Sequence, residues 1–398
     1  MSAAHLPVKP LSLMLVCGEP SGDQLGGELM AALKTLAPDV VFSGVGGDAM
    51  AAHGLKTLFP LDDTAVMGLA EVVPKIPVIL RRVREAAAFA LGTRPDAVVL
   101  IDSPDFTHRI ARRLKRLDPA IRTVNYVAPQ VWASRSYRAK AMARYFDLVL
   151  ALLPFEPQFF ESYGLRAIFV GHPVIERAAR MKGGAALRAR LGIAPDAPLL
   201  AVLPGSRTNE VRLLLPVFRK TVARLTKEIP NLVCVIPLVP HVAARAREGA
   251  RDWPTPLHFI ESDADKFAAF DAADVALAAS GTVTTELALS RTPTVVGYKL
   301  GWLTYKLMRP LIHAPYATLV NIILGREAMP EFIQEDCTPE NLVAALLLLL
   351  RDEAARTRQL RDLEEAVKSL GVGSEAPSLR AAAALLAFAR ERRTKAMA

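Results

Sequence analysis

The chain has 398 residues, of which 52% are hydrophobic and 22% charged, and its formal net charge is +9. This length excludes a single ordinary α/β unit, and the apolar content predicts two separate hydrophobic cores. The positive charge fits three kinds of partner: nucleic acid, an anionic membrane surface and a phosphorylated substrate.

The cysteines and the apolar runs exclude further classes of protein. Cys17, Cys234 and Cys337 lie far apart without metal-ligand spacing, so neither a disulfide framework nor a zinc site is predicted, and a reducing, cytoplasmic compartment fits. The N-terminal segment lacks the apolar stretch and cleavage site of a secretion signal. The longest apolar runs, 342–350 and 381–389, fall far short of the ~20 residues that span a bilayer, so we expect no transmembrane helix.

Apolar strands alternate with helical stretches in the first half, a rhythm typical of a parallel α/β sheet. We predict strands at residues 11–17, 40–44, 96–101, 122–127, 147–152 and 167–170. Glycine-rich turns follow the first two strands: GEPSGD, which holds Gly18, Ser21, Gly22 and Asp23, and GVGGDAM. Ser21 or Asp23 is predicted to cap the next helix. The spacing matches neither Walker A nor GxGxxG, so a plain turn and a substrate-facing loop both stay open.

The third strand delivers two carboxylates, Asp102 and Asp105, at its C-terminal end. Asp105 follows Pro104 and precedes the helical stretch FTHRIARRLKRL, a position that suits a helix cap. Asp102 is therefore the better candidate for a general base. The alternative is that both carboxylates only form the turn and cap the helix.

Two basic segments lie in the first half, at residues 75–84 and 109–144. The first is an amphipathic helix predicted from about Pro77, and it fits either anionic lipid headgroups or an ordinary solvated face. The second places Trp132 beside basic residues but carries no nucleic-acid motif, so no nucleic-acid partner is predicted. Segment 302–312 is both apolar and basic, and it fits an interfacial helix or a core helix.

The strand and helix rhythm restarts after a linker at about residues 176–198. We predict strands at residues 199–203, 232–237, 257–260, 275–278 and 294–298. In LPGSR the first of them runs into a helix starting near Thr208, which brings free backbone N–H groups, the helix dipole and the Arg207 guanidinium together. An anion-binding loop and a tight turn with a surface arginine both fit. In the loop ASGT, Ser280–Thr282 can donate to phosphate, and Glu286 can accept from ribose hydroxyls.

The fold class predicted is α/β, with two parallel-sheet domains facing across a cleft. We place an N-terminal domain at residues 1–178, a C-terminal domain at 179–365 and a helical segment at 366–398 that can pack back on the first domain.

A series of motifs runs in order along nearly the whole chain: GEPSGD, GVGGDAM, MGLAEV, IDSPDF, YVAPQVWA, LPFE, GHP, LPGSR, ASGT, VVGYK, NIILGRE and QEDCTPENL. In this order they resemble the lipid-A-disaccharide synthases. That resemblance implies an inverting glycosyltransferase of the GT-B type, with two Rossmann-like domains. It also implies that UDP-2,3-diacylglucosamine is joined to 2,3-diacylglucosamine 1-phosphate with release of UDP.

The resemblance assigns roles to residues, with Asp102 as the base and Arg207 as the group that stabilises the leaving charge. The nucleotide-sugar contacts implied are Gly205, Ser206, Arg207, Ser280, Gly281, Thr282, Glu286, Asn321 and Glu327. The acceptor and loop residues implied are Gly18, Ser21, Gly22, Asp23, Met67 and Asp105. Thr107, Ser134 and Val320 depart from the family pattern. No DxD-like pair stands beside either loop, so neither a metal nor another cofactor is expected.

The implied partners are the two acylated sugars and the anionic inner-membrane surface, with peripheral attachment on its cytoplasmic face through segments 75–84 and 302–312. A homodimer is compatible with this picture. Two alternatives stay open: another GT-B enzyme, such as a UDP-N-acetylglucosamine epimerase or a transferase with a soluble acceptor, and a basic lipid-binding or RNA-binding protein without catalysis.

Overall fold

Two six-stranded parallel sheets form the framework of the protein. The structure is a computed structural model that describes residues 10–64, 69–133, 136–302, 305, 306, 309 and 314–397. The first sheet contains β1 (Ser12–Cys17), β2 (Val41–Val45), β3 (Ala97–Ile101), β4 (Thr123–Tyr126), β5 (Leu148–Ala151) and β6 (Ala167–Phe169). The second contains β7 (Leu199–Leu203), β8 (Val233–Pro237), β9 (Leu257–Ile260), β10 (Val275–Ala278), β11 (Thr294–Tyr298) and β12 (Glu331–Ile333).

Helices follow most strands. They are α1 (Pro20–Leu36), α2 (Asp48–Ala51), α3 (Leu69–Thr93), α4 (Pro104–Leu117), α5 (Tyr137–Met142), α6 (Glu156–Glu161), α7 (Gly184–Arg190), α8 (Thr208–Glu228), α9 (Ala243–Gly249), α10 (Asp263–Ala272), α11 (Thr282–Leu289), α12 (Leu319–Leu324), α13 (Pro339–Arg351), α14 (Glu353–Ser369) and α15 (Pro377–Met397). Short 3₁₀ helices lie at Leu61–Asp63, Pro173–Arg180, Pro240–Val242 and Gln334–Asp336. None of the helices in the described ranges is long and apolar enough to cross a membrane.

The chain divides into two compact units, Met1–Pro173 with Ser374–Ala398, and Val174–Gly373. Helix α14 belongs to the second unit. Helix α15 belongs to the first unit, where Leu385 shares a buried cluster with Leu29 and Leu33 of α1. Arg122 also pairs with Glu391 of α15 at 3.0 Å.

Strands β3, β4 and β5 are buried at every residue, because helices cover both faces of the sheet. The same burial explains their nearly continuous apolar sequences. In the first unit α1 and α15 cover one face, while α3 and α4 contribute to the cluster on the other. Strand β12, which the sequence analysis missed, is a half-buried three-residue strand at the edge of the second sheet.

Each sheet has one place where the strand order reverses. The order of the first is β2-β1-β3-β4-β5-β6, and the order of the second is β12-β11-β10-β7-β8-β9. Neighbouring strands at the reversals end in register, with Cys17 beside Ile101 and Leu203 beside Ala278. The loops that follow β1 and β3, and those that follow β7 and β10, therefore begin side by side. Open α/β sheets bind ligands at such reversals.

Candidate active site

The loop after β3 holds Asp102 in a strained conformation. Asp102 and Ser103 have φ of +50° and +44°, a left-handed geometry that costs on the order of 1–2 kcal/mol for each non-glycine residue. Hydrogen bonds hold the turn: the Asp102 N–H donates to the carbonyl of Tyr126 at 2.9 Å. The buried hydroxyl of Thr107 contacts the carbonyls of Asp102 and Ser103 at 2.6 and 3.0 Å. Thr107, a departure from the family pattern, thus stabilises the turn that presents Asp102.

The first glycine-rich loop lies against Asp102. The Ser21 hydroxyl donates to Asp102 Oδ2 at 3.5 Å. A Cβ atom on Gly18 would lie 2.8 Å from Ser103 Cβ, and one on Gly22 would lie 2.9 Å from Cys17 Cβ, so both positions need glycine for close approach. The carboxylate itself is half-buried, and no described lysine or arginine forms an ion pair with it.

Asp23 has a structural role that differs from the predicted one. Helix α1 begins after Glu19, so Ser21 and Asp23 lie inside the helix and neither caps it. The Asp23 carboxylate, 6% exposed, instead accepts from the N–H groups of Gly47, Ala49 and Met50 at 2.7, 2.9 and 3.1 Å. Asp23 therefore connects the two glycine-rich turns, and both of its carboxylate oxygens accept hydrogen bonds from the second turn.

The expected cap at Asp105 is also corrected. The N-cap of α4 is Ser103, whose hydroxyl donates to Glu19 at 3.1 Å, and Asp105 is exposed in the first turn of the helix. Met67, the remaining predicted acceptor-side residue, lies outside the described residues, as does Ser134.

An apolar cavity of about 370 Å³ adjoins this loop in the first unit. Ile76, Ile79 and Leu80 of α3 line one part, and Phe106 and Arg109 of α4 line another. Helix α3 begins at Leu69, eight residues before the predicted start at Pro77, so it carries these side chains along the wall of the cavity. Such a lining suits a long apolar group attached to a polar one.

The two predicted phosphate loops of the second unit meet around one cavity of about 280 Å³. Its wall includes the predicted residues Gly205, Ser206, Arg207, Ser280, Gly281, Thr282 and Glu286. Gly205 has φ +110°, and a Cβ there would lie 2.5 Å from both Cβ and Oε2 of Glu210. The loop therefore requires glycine at this position.

Glu210 already accepts from the donors that we assigned to phosphate. Its Oε2 accepts from the N–H groups of Ser206 and Arg207 at 3.0 and 3.2 Å, and its Oε1 accepts from the Arg207 guanidinium at 2.8 Å. Helix α8 starts at Thr208 as predicted, with Glu210 at the third helical position, where a glutamate commonly caps. The hydrogen bond to Glu210 raises the pKa of Arg207, so the guanidinium stays charged. The site thus has the donors expected for an anion, with an internal carboxylate bound to them.

Glu286 is 4% exposed and is bound by two cations. Lys266 Nζ lies 3.0 Å from Oε2, and Arg177 Nη1 lies 3.0 Å from Oε1. Sequence reasoning missed both cations, because Lys266 lies in an ordinary helical stretch and Arg177 in the linker. Lys266 also lines the cavity, which adds a second positive charge beside Arg207.

Asn321 and Glu327 are not among the residues that line this cavity. Asn321 is fully buried, and its amide nitrogen donates to the Met329 carbonyl and to Glu331, both at 2.8 Å. Its amide oxygen accepts from two backbone N–H groups. Glu327 is exposed and accepts from the Glu331 N–H at 3.2 Å. Val320 is buried in a separate apolar cluster, so this departure fills a core position.

Comparison with known proteins identifies the family of this chain. The family model described as lipid-A-disaccharide synthetase matches residues 13–384. A lipid-A-disaccharide synthase of Rhodospirillum centenum is 48% identical over 380 residues, which is 95% of this chain and 95% of the relative. One of Rhodopseudomonas palustris is 47% identical over 372 residues, covering 93% and 94%. A solved structure of a putative UDP-N-acetylglucosamine 2-epimerase from Listeria monocytogenes matches with a TM-score of 0.66, 14% identity and 97% coverage of both chains, a likeness of fold alone.

Two parallel sheets, each with one reversal of strand order, define a two-domain α/β fold of the GT-B type. Within that class, the family match and the curated relatives confirm the resemblance that the motifs predicted. The chain belongs to the lipid-A-disaccharide synthase family of glycosyltransferases.

Proposed function

We propose that the enzyme transfers the diacylglucosaminyl group of UDP-2,3-diacylglucosamine to the 6-hydroxyl of 2,3-diacylglucosamine 1-phosphate. The products are the β-1,6-linked disaccharide 1-phosphate and UDP. The observation that carries the proposal is the Asp102 carboxylate, which is half-buried and has no ion-pair partner among the described residues. A carboxylate without a counter-charge at a strand-order reversal is suited to accept a proton from a bound hydroxyl.

The chemistry is a single displacement. The acceptor oxygen forms a bond to C1 of the donor sugar while the bond from C1 to the UDP oxygen breaks. The hydroxyl proton passes to Asp102, and the bonding electron pair leaves with UDP. Attack from the face opposite UDP inverts C1. A positioned base contributes typically about 10²- to 10⁴-fold in rate.

The donor diphosphate is assigned to the cavity of the second unit. Glu210 supports this assignment, because its carboxylate marks where anionic oxygens meet the N–H groups of Ser206 and Arg207. A phosphate oxygen fits the same donors, and Glu210 then turns away. Arg207 and Lys266 bring positive charge to the leaving group, where one preorganised donor contributes about 10²- to 10³-fold.

The acyl chains of the acceptor are assigned to the apolar cavity beside Asp102, because Ile76, Ile79 and Leu80 offer the only kind of surface that hydrocarbon prefers. Two of these side chains are partly exposed, Ile76 by 43% and Leu80 by 36%. An acylated sugar can therefore enter with part of its chains still in lipid.

We infer peripheral attachment to the cytoplasmic face of the inner membrane. On α3, the exposed Arg81 and Arg84 accompany the exposed apolar residues Ile76 and Leu80. Trp302 is 71% exposed in the segment 302–312, most of which lies outside the described residues. Basic and apolar groups on one helix face suit anionic headgroups. Co-sedimentation with anionic vesicles at low salt and release at high salt are expected, and a protein that stays in the supernatant at low salt rejects the inference.

The transfer is tested by measuring UDP release from the donor with and without the 1-phosphate acceptor. Release that requires the acceptor supports the proposal, whereas epimerised donor or no turnover rejects it. Asp102→Asn should abolish turnover and leave UDP affinity unchanged. Asp105→Asn, an exposed carboxylate in the next turn, is the matched comparison. If Asp105→Asn abolishes turnover and Asp102→Asn does not, the base is Asp105.

A further inference from the structure

A second cavity, of about 180 Å³, lies on the other side of the first turn of α4. Its polar lining residues are Asp105, His108, Arg109, Arg112, Arg138 and Tyr145. The apolar cavity and this one share Pro104, Asp105 and Arg109. The helix turn that follows Asp102 thus separates an apolar recess from a basic one.

The three arginines of this cavity carry no counter-ion among the described residues. Arg109 donates to the backbone carbonyl of Asp105 at 2.8 Å, and Arg112 donates to the Tyr145 hydroxyl at 3.2 Å. Arg138 lies on α5 and is exposed. Elsewhere in the unit, Arg82 forms ion pairs with two carboxylates. The lining therefore combines three positive charges with the single negative charge of Asp105, and its net charge favours an anion.

His108 is buried beside two of these arginines. Burial, and then the charges of Arg112 and Arg138, lower the pKa of His108 to about 3. The neutral ring lies 3.2 Å from the Tyr145 hydroxyl through Nδ1, and that hydroxyl also accepts from Arg112. Tyr145 therefore holds the Arg112 guanidinium in a fixed position through a hydrogen bond and through its ring, 4.8 Å away.

The basic recess has room for a phosphate group. Its volume of about 180 Å³ is large enough for the five heavy atoms of that group. Arginine forks bind phosphate oxygens bidentately, through short, charge-assisted hydrogen bonds. An uncharged group would leave the three guanidinium charges uncompensated.

We propose that this recess binds a phosphomonoester and that its ligand, on the function proposed above, is the 1-phosphate of the acceptor sugar. The apolar recess then receives acyl chains and the basic recess receives the phosphate, so the sugar ring spans the turn beside Asp102. Arg112 and Arg138 are positioning and specificity residues in this scheme, and they touch no reacting atom. The same phosphate chemistry also occurs in lipid headgroups, and the experiment separates the two sources.

The first arm is steady-state kinetics of Arg138→Gln and Arg112→Gln, with Arg116→Gln on the exposed face of α4 as the matched control. We expect KM for the acceptor to rise roughly tenfold to a hundredfold with KM for the donor unchanged. For an acceptor that lacks the phosphate, the variants and the wild type should differ little. If the variants raise KM equally for the acceptors with and without the phosphate, the proposal is overturned. It is also overturned if the variants lose vesicle binding while KM for the acceptor, measured in detergent, is unchanged. That second result would assign the recess to lipid headgroups.

The second arm is direct binding and needs no turnover. Glucosamine 1-phosphate is added to the wild-type protein while the histidine ring signals are followed by NMR across pH. A bound phosphate offsets the arginine charges, so the pKa of His108 should rise, and Arg138→Gln should weaken this response while Arg116→Gln keeps it. No response in the wild type overturns the proposal. If the response appears but no transfer occurs, the phosphate site stands and the proposed function fails.

Discussion

Replacing Gly205 with alanine tests the geometry of the LPGSR loop most directly. Gly205 has φ +110°, and an added Cβ would lie 2.5 Å from Cβ and Oε2 of Glu210. A left-handed alanine costs roughly 1–2 kcal/mol, and overpacking a close contact costs roughly 1–3 kcal/mol more. We expect Gly205→Ala to destabilise the second unit by about 2–5 kcal/mol, which lowers its Tm by about 4–20 °C.

Gly192→Ala is the matched control for this substitution. Gly192 also has a left-handed φ, of +68°, but a Cβ there would meet nothing within 4 Å. It therefore isolates the backbone cost, about 1–2 kcal/mol. The difference between the two variants measures the contact with Glu210.

The assay combines calorimetric unfolding with titration of UDP. Gly205→Ala should lower both stability and UDP affinity, because relief of the contact moves the loop and its N–H groups, whereas Gly192→Ala should leave UDP affinity unchanged. The reasoning is refuted if Gly205→Ala is no more destabilising than Gly192→Ala.

Three further predictions concern the first unit. Folding lowers the pKa of His108 from 6.5 to about 3, so the unfolded chain binds more protons between these pH values. The free energy of unfolding therefore falls as pH falls through this window, by up to about 1.4 kcal/mol per pH unit. In urea unfolding, His108→Gln should make the free energy of unfolding depend less on pH between about pH 7 and about pH 5, and an unchanged dependence contradicts the prediction. Asp23→Ala leaves three N–H groups without their acceptor and should cost roughly 2–4 kcal/mol in urea unfolding, while the exposed Asp48→Ala should cost much less. Leu385→Ala on α15 should lower the free energy of unfolding by about 2–5 kcal/mol, because Leu385 is part of the buried cluster. The control Leu348→Ala should lower it little, because that side chain is 50% exposed. Equal effects of the two substitutions would show that α15 is not part of the core.

Apolar runs determined most of the framework. Strands buried on both faces are nearly continuous in hydrophobicity, so β7, β10 and β11 have the bounds predicted from the sequence. Strand β12 was missed because a half-buried edge strand of three residues carries no such run. The start of α3 was misplaced because Pro77 was expected at a first helical turn, where proline is favoured, whereas it lies inside the helix.

The sequence by itself determined which loops end at the ligand-binding edges, since a parallel α/β sheet leaves its glycine-rich turns and Asp102 at strand C-termini. Side-chain partners that are distant in sequence were decided only by the tertiary structure. Lys266 pairs with Glu286 across 20 residues, and Tyr145 meets His108 across 37. Local periodicity records which face of an element is buried, whereas contacts between distant segments depend on how strands and helices are ordered in space. The roles of Asp23 and the basic recess beside α4 followed from that order.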